Sequence, residues 1–398
     1  MLEAVRRSFL LKVLLLALAL TAAIALIGLI TLWPEGSRAV DSVAGSGQQI
    51  ERATVEAVRR IECRAPGQFE CTRVTVRLRS GPDKDELARF TVGETTSDVR
   101  LSVDDRIRVY RLALPEGAEV LGVRVDRYGF SDYERQRPLA LLAALFCGLV
   151  ILTGRWRGVR ALVGLGLSLL IVIEFVVPAI LDGRSALGVA LVGSLAIMFA
   201  TIPLAHGLGA KGIAAMLGTA AALGLTALLA SLATDAVHLT GISSDETTYL
   251  RAVAGTISLQ GLLLAGMIIG ALGVLDDLTV SQASTVMALR RANPALGTRR
   301  LIRTALDVGH DHIAATVNTL VLAYVGASLP VLLVFSIGGI SFGDALNSEA
   351  VAAEVVAMIV GSIGLIAAVP ITTVLAALVA ERLPGSVLAD EAAHVHGA

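Results

Sequence analysis

The feature that most limits how this chain can fold is a series of long apolar runs separated by short polar segments. A helix needs about 20 consecutive apolar residues to cross the hydrocarbon core of a bilayer. The runs occupy residues 13–33, 139–152, 159–181, 186–206, 212–233, 253–275, 313–337 and 351–379. Because 55% of the residues are hydrophobic and only 17% are charged, we predict an α-helical polytopic membrane protein with about eight transmembrane helices. The run at 139–152 is the shortest.

The positions of these runs divide the sequence into four parts. Residues 1–33 are interpreted as a cytoplasmic N-terminus and a first transmembrane helix. A cleaved signal peptide is the alternative, although the apolar run is long for one and no cleavage site closes it. Residues 34–137 are polar and form an extracytoplasmic domain, residues 138–383 a membrane domain of seven helices, and residues 384–398 a cytoplasmic tail.

The polar part at 34–137 has the pattern of short β-strands. Apolar and polar residues alternate in the segments 73–78, 88–92 and 105–110, and turn-forming sequences follow at 80–83 and 115–117. Period-two alternation bounded by turn residues is typical of antiparallel strands. About five strands in a hundred residues predict a small all-β domain, either an OB-like barrel or a sandwich. Such a module more often docks a partner than catalyses a reaction.

The distribution of basic residues indicates the orientation in the membrane. If the N-terminus is cytoplasmic, the short outer loops contain only Arg184 and Arg251, and the inner segments hold the remaining basic residues outside the large polar domain. This asymmetry follows the positive-inside rule. We therefore expect a multi-pass plasma-membrane protein with both termini in the cytoplasm. Cys63 and Cys71 would then lie outside, where an oxidising compartment favours a disulfide between them.

The stretch 270–320 interrupts the apolar sequence with two acidic pairs. Asp276 and Asp277 end one apolar run, and Asp307 and Asp311 precede the next. In a helix, Asp307, Asp311 and Asn318 project within about 40° of one another, whereas His310 and His312 lie about 60° and 140° away. The two histidines therefore cannot both bind one ion, and an oxygen-rich site for a hard cation is favoured over a zinc site. The candidate ion or gating site comprises Asp276, Asp277, Gln282, Asp307, Asp311 and Asn318.

Structural roles remain an alternative for these acids. Asp276 and Asp277 could cap a helix that begins near Leu278, and Asp307 and Asp311 could pair with nearby arginines. Glu174 is a separate candidate, because a carboxylate inside an apolar helix has to pair, face water or carry a proton. It lies four residues before Pro178, where we expect a helix break.

Several functions lack support in the sequence. A net charge of −1 with no basic arm argues against nucleic acid as a partner. No Walker loop, nucleotide fingerprint or Ser-His-Asp motif occurs, so catalysis is not favoured and no cofactor is indicated.

Two segments carry a family resemblance: 260–282, QGLLLAGMIIGALGVLDDLTVSQ, and 311–324, DHIAATVNTLVLAY. Both resemble the signature of the YibE/F-like bacterial membrane proteins, and the resemblance extends over residues 141–383. It implies a bacterial plasma-membrane protein. Members are described only as membrane proteins or permeases, so the resemblance does not settle the function. The family often has Arg where this chain has His310, which argues against His310 as a metal ligand.

Three hypotheses of different classes follow. The first is a permease, with cation coupling as an option, that moves an unidentified small solute or cation through the lipid bilayer. The second is a membrane scaffold or signalling protein that binds a protein partner through residues 34–137. The third is an intramembrane metal-dependent hydrolase. A homo-oligomer is compatible with each hypothesis, since the eight transmembrane helices of one subunit are few to enclose a transport pathway without a neighbouring subunit.

Overall fold

A computed structural model describes residues 2–35, 49–61, 71–92, 100–112, 119–120, 123–124, 126–253, 255 and 257–381. The chain forms two compact units. The β unit is Ala39–Leu149, and the helical unit combines Met1–Arg38 with Val150–Ala398. Cys63 lies outside the described residues, whereas Cys71 is buried at the start of a strand. Their disulfide therefore stays a prediction.

The β unit is built around an antiparallel sheet of five strands in the order β3-β2-β1-β4-β7. The strands are β1 (Gln49–Ile61), β2 (Cys71–Leu78), β3 (Leu87–Val92), β4 (Arg106–Arg111), β5 (Glu119–Val120), β6 (Val123–Arg124) and β7 (Tyr128–Tyr133). β5 and β6 form a separate pair. The outer strands β3 and β7 contact each other, so the sheet curves into a half-barrel. The three alternating segments predicted from the sequence are confirmed as β2, β3 and β4.

Alternate residues of these strands fill an apolar core. In β3, Ala88, Phe90 and Val92 are buried and their neighbours are exposed. Val76 of β2 and Ile107 of β4 are also buried there. Successive side chains of a strand point to opposite faces, so period-two alternation puts one face of the sheet in this core.

The same unit encloses a polar group. Glu51 of β1 is only 2% exposed, and neither of its carboxylate oxygens has a hydrogen-bond partner among the described residues. Burial raises the pKa of Glu51. By contrast, the hydrogen bond that the Tyr128 hydroxyl donates to Asp83 holds the pKa of Asp83 below its ordinary value. Arg111 and Arg127 also pair with Asp83, at 3.5 and 3.3 Å.

Most of the remaining described residues are helical. They are α1 (Leu2–Thr31), α2 (Gln136–Ile171), a π-helical turn (Val172–Val176), α3 (Val177–Leu181), α4 (Ala186–His206), α5 (Ala210–Ala236), α6 (Asp245–Val253), α7 (Leu259–Ala292), α8 (Thr298–Ile337), α9 (Phe342–Asn347) and α10 (Glu349–Ala380). Within the described ranges, seven helical segments are long and apolar enough to cross a membrane. The membrane character predicted from the apolar runs is thus confirmed, and the difference between seven segments and about eight predicted helices arises in α2.

α2 contains a sharp break at Arg155, where the backbone angles are φ 49° and ψ −130°. A β-carbon built on Gly158 would lie 2.2 Å from the carbonyl oxygen of Val150. Residues eight apart in a straight helix are separated by about 12 Å along its axis, so the chain bends sharply at Arg155 and brings Gly158 against Val150. The predicted runs 139–152 and 159–181 are the two sides of this break. The two runs form a single candidate segment, Gln136–Leu181, because helical structure continues up to the turn and resumes directly after it.

α5, α7 and α10 form the centre of the helical unit, and α4 and α8 pack against them. α5 and α10 approach closely at two matching points. A β-carbon on Gly218 of α5 would lie 2.1 Å from the Thr372 hydroxyl oxygen of α10, and one on Gly364 of α10 would lie 2.1 Å from the Thr226 hydroxyl oxygen of α5. Small residues at helix contacts let backbones come together where lipid supplies no hydrophobic driving force.

Candidate functional site

The first acidic pair lies in the interior of a long helix. α7 runs without interruption from Leu259 to Ala292, so Asp276 and Asp277 are in its middle. The alternative that they cap a helix beginning near Leu278 is therefore wrong. An N-cap lies at the start of a helix, and Ser258 occupies that position in α7 by accepting a hydrogen bond from the Gly261 amide.

Asp276 is half-buried against α4, and its hydrogen bonding is incomplete. The Thr201 hydroxyl lies 3.3 Å from Oδ2 of Asp276 and 2.9 Å from the carbonyl oxygen of Ile197. A hydroxyl has one proton to donate, and the shorter contact is to the carbonyl. Oδ1 of Asp276 is buried and has no partner among the described residues. A buried carboxylate oxygen without a donor is costly, so this group has capacity for a proton or a cation.

Charged side chains lie near the neighbouring Asp277. His206 ends α4, and its Nδ1 lies 3.3 Å from Nζ of Lys211 near the start of α5. Since a lysine ammonium can only donate, Nδ1 of His206 accepts this hydrogen bond. Asp277, which is exposed, and Arg160 also act electrostatically on His206. We call Thr201, His206, Lys211, Asp276 and Asp277 the α4–α7 cluster.

Gln282 holds three helices together. It is 1% exposed, and its Nε2 donates to the Ala305 carbonyl oxygen of α8 at 2.8 Å and to the Thr373 hydroxyl of α10 at 2.7 Å. Gly309 of α8 leaves room for the amide, because a β-carbon there would lie 3.1 Å from both Oε1 and Nε2. These contacts give Gln282 a structural role.

The second acidic pair is separate from the first. Asp307, Asp311 and Asn318 lie on α8 and are all exposed. Among the described residues, Asp307 and Asp311 form no ion pair with a neighbouring arginine. No group of three or more His, Cys, Asp or Glu side chains in the described part of the chain lies close enough to hold a metal ion. The structure therefore divides the predicted set into the α4–α7 cluster, the buried Gln282 and an exposed stripe on α8.

Glu174 lies in the π-helical turn, between Ile173 and the buried Phe175. Glu174 is exposed, whereas the Phe175 ring stacks on Trp33, two residues after α1, with centroids 5.8 Å apart. The helix break expected near Pro178 is present as this π turn. Single π turns inside α-helices are frequent at functional sites.

Sequence reasoning missed Thr201 and His206 as members of the site. Both are on α4, about 70 residues before Asp276, and no local pattern connects them to it. The only available signal is the position of His206, which directly precedes Gly207, where α4 ends with a positive φ of 80°.

A family model described as YibE/F-like protein matches residues 142–382, more than half of the chain. No curated protein and no solved structure matches.

Proposed function

The chain belongs to the YibE/F-like family, and from this premise we propose that it is an integral membrane permease with a carboxylate site in the α4–α7 cluster. The observation that carries the proposal is the incomplete hydrogen bonding of Asp276 in the middle of α7. A carboxylate without hydrogen-bond partners in an apolar helix costs free energy unless a proton or a cation binds to it. Ionisable groups at this depth typically mark ion pathways and proton relays.

The chemistry of the cluster fits a proton or monovalent-cation site. Asp276 supplies an oxygen ligand that lacks a donor, Thr201 supplies a hydroxyl, and the exposed Asp277 adds negative charge beside it. Ions such as Mg²⁺ and Ca²⁺ prefer about six or more oxygen ligands. We infer that the cluster binds one charge at a time as the permease moves its solute.

The membrane orientation is part of the proposal. Arg155, Arg157, Arg160 and Lys211 would lie on the cytoplasmic side with both chain termini, in keeping with the positive-inside rule. The α4–α7 cluster, which includes Lys211, would then open toward the cytoplasm of a bacterial cell, and strands β1–β7 would be extracytoplasmic.

Cation binding tests this proposal directly. We would measure the melting temperature of detergent-purified protein with Li⁺, Na⁺, K⁺, Mg²⁺, Ca²⁺ and Mn²⁺ at constant ionic strength, and with protons through a pH series. A ligand that binds only the folded state raises its stability by mass action. We expect protons or one of the monovalent cations to stabilise the wild type selectively and to lose this effect in Asp276→Asn.

Asp245→Asn is the matched control, because it removes one negative charge from exposed α6, outside the candidate spans. It should retain the ion response. A wild type that responds to none of the ions, or an Asp276→Asn variant that responds like the wild type, would rule out the site. With the ion identified, its flux into reconstituted vesicles tests transport.

A scaffold or signalling role is the second candidate, and the separate core of the β unit favours it. The five-stranded order and the contact between β3 and β7 support an OB-like barrel that docks a protein partner. Deletion of residues 34–137 should abolish such a role while leaving ion binding at Asp276 intact. A metal hydrolase is not proposed, because catalytic zinc sites use three protein ligands and the described residues offer no such group.

A further inference from the structure

The helical unit contains a cavity of about 280 Å³ that is distinct from the α4–α7 cluster. It lies between α7, α8 and α10, and its lining is completed by Gly241 and Ser243, which precede α6, and by Thr247 of α6. Its volume is close to the lower limit of about 300 Å³ for small-molecule sites. A ligand of this cavity must therefore be small.

Most of the cavity surface is apolar, with a few polar side chains. Leu262, Leu263 and Met267 of α7 and Ala357 of α10 supply apolar contacts, and the polar side chains that line the cavity are Glu354, Tyr324, Ser243 and Thr247. Concave, largely apolar sites with a few convergent polar groups are typical of small-molecule binding.

Glu354 is a half-buried carboxylate in an apolar helix. Among the described residues it makes no hydrogen bond and no ion pair, and Tyr324 is the neighbour on which it acts electrostatically. A charge removed from water is costly unless a counter-charge is present. The cavity therefore provides a site for a cation beside Glu354.

The lining distinguishes an organic cation from a metal ion. Glu354, Tyr324, Ser243 and Thr247 are the side chains with oxygen atoms around the cavity, whereas hard divalent cations take six or more oxygen ligands. An ammonium group needs one carboxylate and one or two acceptors, and the Tyr324 ring can stabilise it further through a cation–π contact. The leucines and Met267 fit an alkyl body.

Gly266 keeps the cavity open on the α7 side. It lines the cavity, and a β-carbon built on it would meet no atom within 4 Å. One helical turn further, a β-carbon on Gly270 would lie 3.7 Å from the Tyr324 hydroxyl oxygen. A larger side chain at position 266 can thus enter the cavity without a backbone clash.

We propose that this cavity binds a small alkylammonium ion, with its ammonium group on Glu354 and its alkyl group against α7. Helix geometry separates the site from the acidic cluster, since Gly266 and Asp276 are ten residues apart, or about 15 Å along α7. The inference concerns binding alone and does not rest on transport.

The test measures binding of methyl-, propyl-, n-butyl- and tetramethylammonium to full-length detergent-purified protein, by calorimetry and by melting temperature. n-Butanol, Na⁺ and Mg²⁺ serve as comparisons. At least one alkylammonium ion should bind more tightly than n-butanol, and Glu354→Gln should lower its affinity by about tenfold or more, equivalent to about 1.4 kcal/mol.

Gly266→Leu is a second, independent variant that fills the cavity and leaves Glu354 in place. It should also abolish alkylammonium binding. Glu381→Gln, at the far end of α10, is the matched control and should bind like the wild type. The unliganded melting temperature and gel-filtration profile of each variant establish whether it folds.

Four results would overturn the proposal: no binding of any alkylammonium ion, equal binding of n-butanol, preferential binding of Mg²⁺ at this cavity, or unchanged binding in folded Glu354→Gln and Gly266→Leu variants. Asp276→Asn should retain alkylammonium binding. Failure here is thereby distinguished from failure of the ion site in the α4–α7 cluster.

Discussion

Gly218 of α5 lies directly against Thr372 of α10, with no space for even a methyl group between them. The pair formed by Thr226 and Gly364 repeats the contact in the opposite sense. In each pair, one helix supplies the glycine and the other the threonine. The contact between the two helices at the centre of the unit therefore depends on two positions without a side chain.

Gly218→Ala should destabilise the helical unit. The added methyl would lie 2.1 Å from the Thr372 hydroxyl oxygen, and overpacking of this kind costs about 1–3 kcal/mol. Gly224→Ala on the same helix meets no atom within 4 Å and should be neutral or slightly stabilising. Unfolding in SDS measures both.

The double variant Gly218→Ala/Thr372→Ala should recover much of the lost stability. The hydroxyl oxygen of Thr372 is buried without a hydrogen-bond partner among the described residues, so its removal costs little. If Gly218→Ala unfolds like Gly224→Ala, the close approach of α5 and α10 is wrong.

Gln282→Glu should be more damaging than Gln282→Leu. The amide donates both of its hydrogen bonds, to the Ala305 carbonyl and to Thr373. Gln282→Leu removes both hydrogen bonds and should lower the free energy of unfolding by about 1–2 kcal/mol. The loss stays small because the Thr373 hydroxyl still donates to the Val369 carbonyl. Glutamate would bury a charge that faces a carbonyl oxygen, at about 3 kcal/mol or more. Unfolding in SDS gives the order of stability of the two variants. A Gln282→Glu variant more stable than Gln282→Leu would contradict the hydrogen bonds by which Gln282 joins α7, α8 and α10.

Glu51→Gln should stabilise the β unit at neutral pH and remove part of its pH dependence. Since burial raises the folded-state pKa of Glu51, folding favours the protonated form. Its contribution to stability is fully present below its ordinary pKa and is lost as the pH rises through the folded-state pKa. The gain at neutral pH should be about 1 kcal/mol, because glutamine removes the buried charge but is itself a buried polar group without a partner.

Native-state proteolysis at pH 4 to 8 measures this effect. At low protease concentration, opening and closing are fast relative to cleavage, and the cleavage rate then reports the free energy of opening. Glu56→Gln on the same strand is the control, because Glu56 pairs with Arg77 at the surface and exposed pairs contribute about 0–1 kcal/mol. A Glu51→Gln variant no more stable than wild type at pH 8 would contradict the prediction.

The turn at Arg155 predicts opposite effects for two glycine substitutions. Arg155→Gly should stabilise by up to about 1 kcal/mol, because a positive φ strains any residue with a β-carbon. Gly158→Ala should be strongly destabilising, since its methyl would collide with the backbone of Val150. Gly154→Ala, which meets no atom within 4 Å, is the control. The melting temperatures of the three variants measure these effects. A Gly158→Ala variant as stable as the wild type would mean that the helix is not sharply bent there.

The sequence predicted those features that repeat within a single segment. Period-two alternation located β2, β3 and β4, and long apolar runs located the helices, because each pattern reflects one face or one environment along a continuous stretch. The break at Arg155 was inferred only as a gap between runs. Its backbone angles depend on the contact between Gly158 and Val150, which no local pattern specifies.

The candidate site was harder to predict than the fold. Asp276 was selected as a carboxylate near the end of an apolar run, but α7 continues beyond it because Thr279 and Val280 are buried among other helices. Its partner Thr201 comes from another helix. Gln282 was placed in the ion site because it is polar, whereas its amide joins helices. Such assignments depend on tertiary contacts between residues far apart in sequence.

The bend at Arg155 also has a consequence for biosynthesis. The turn contains a single residue with non-helical angles, so it has no loop that could rearrange after the flanking helices have formed. We therefore expect residues 150–158 to adopt this turn while the nascent chain is still at the translocon, before the helix that follows is complete.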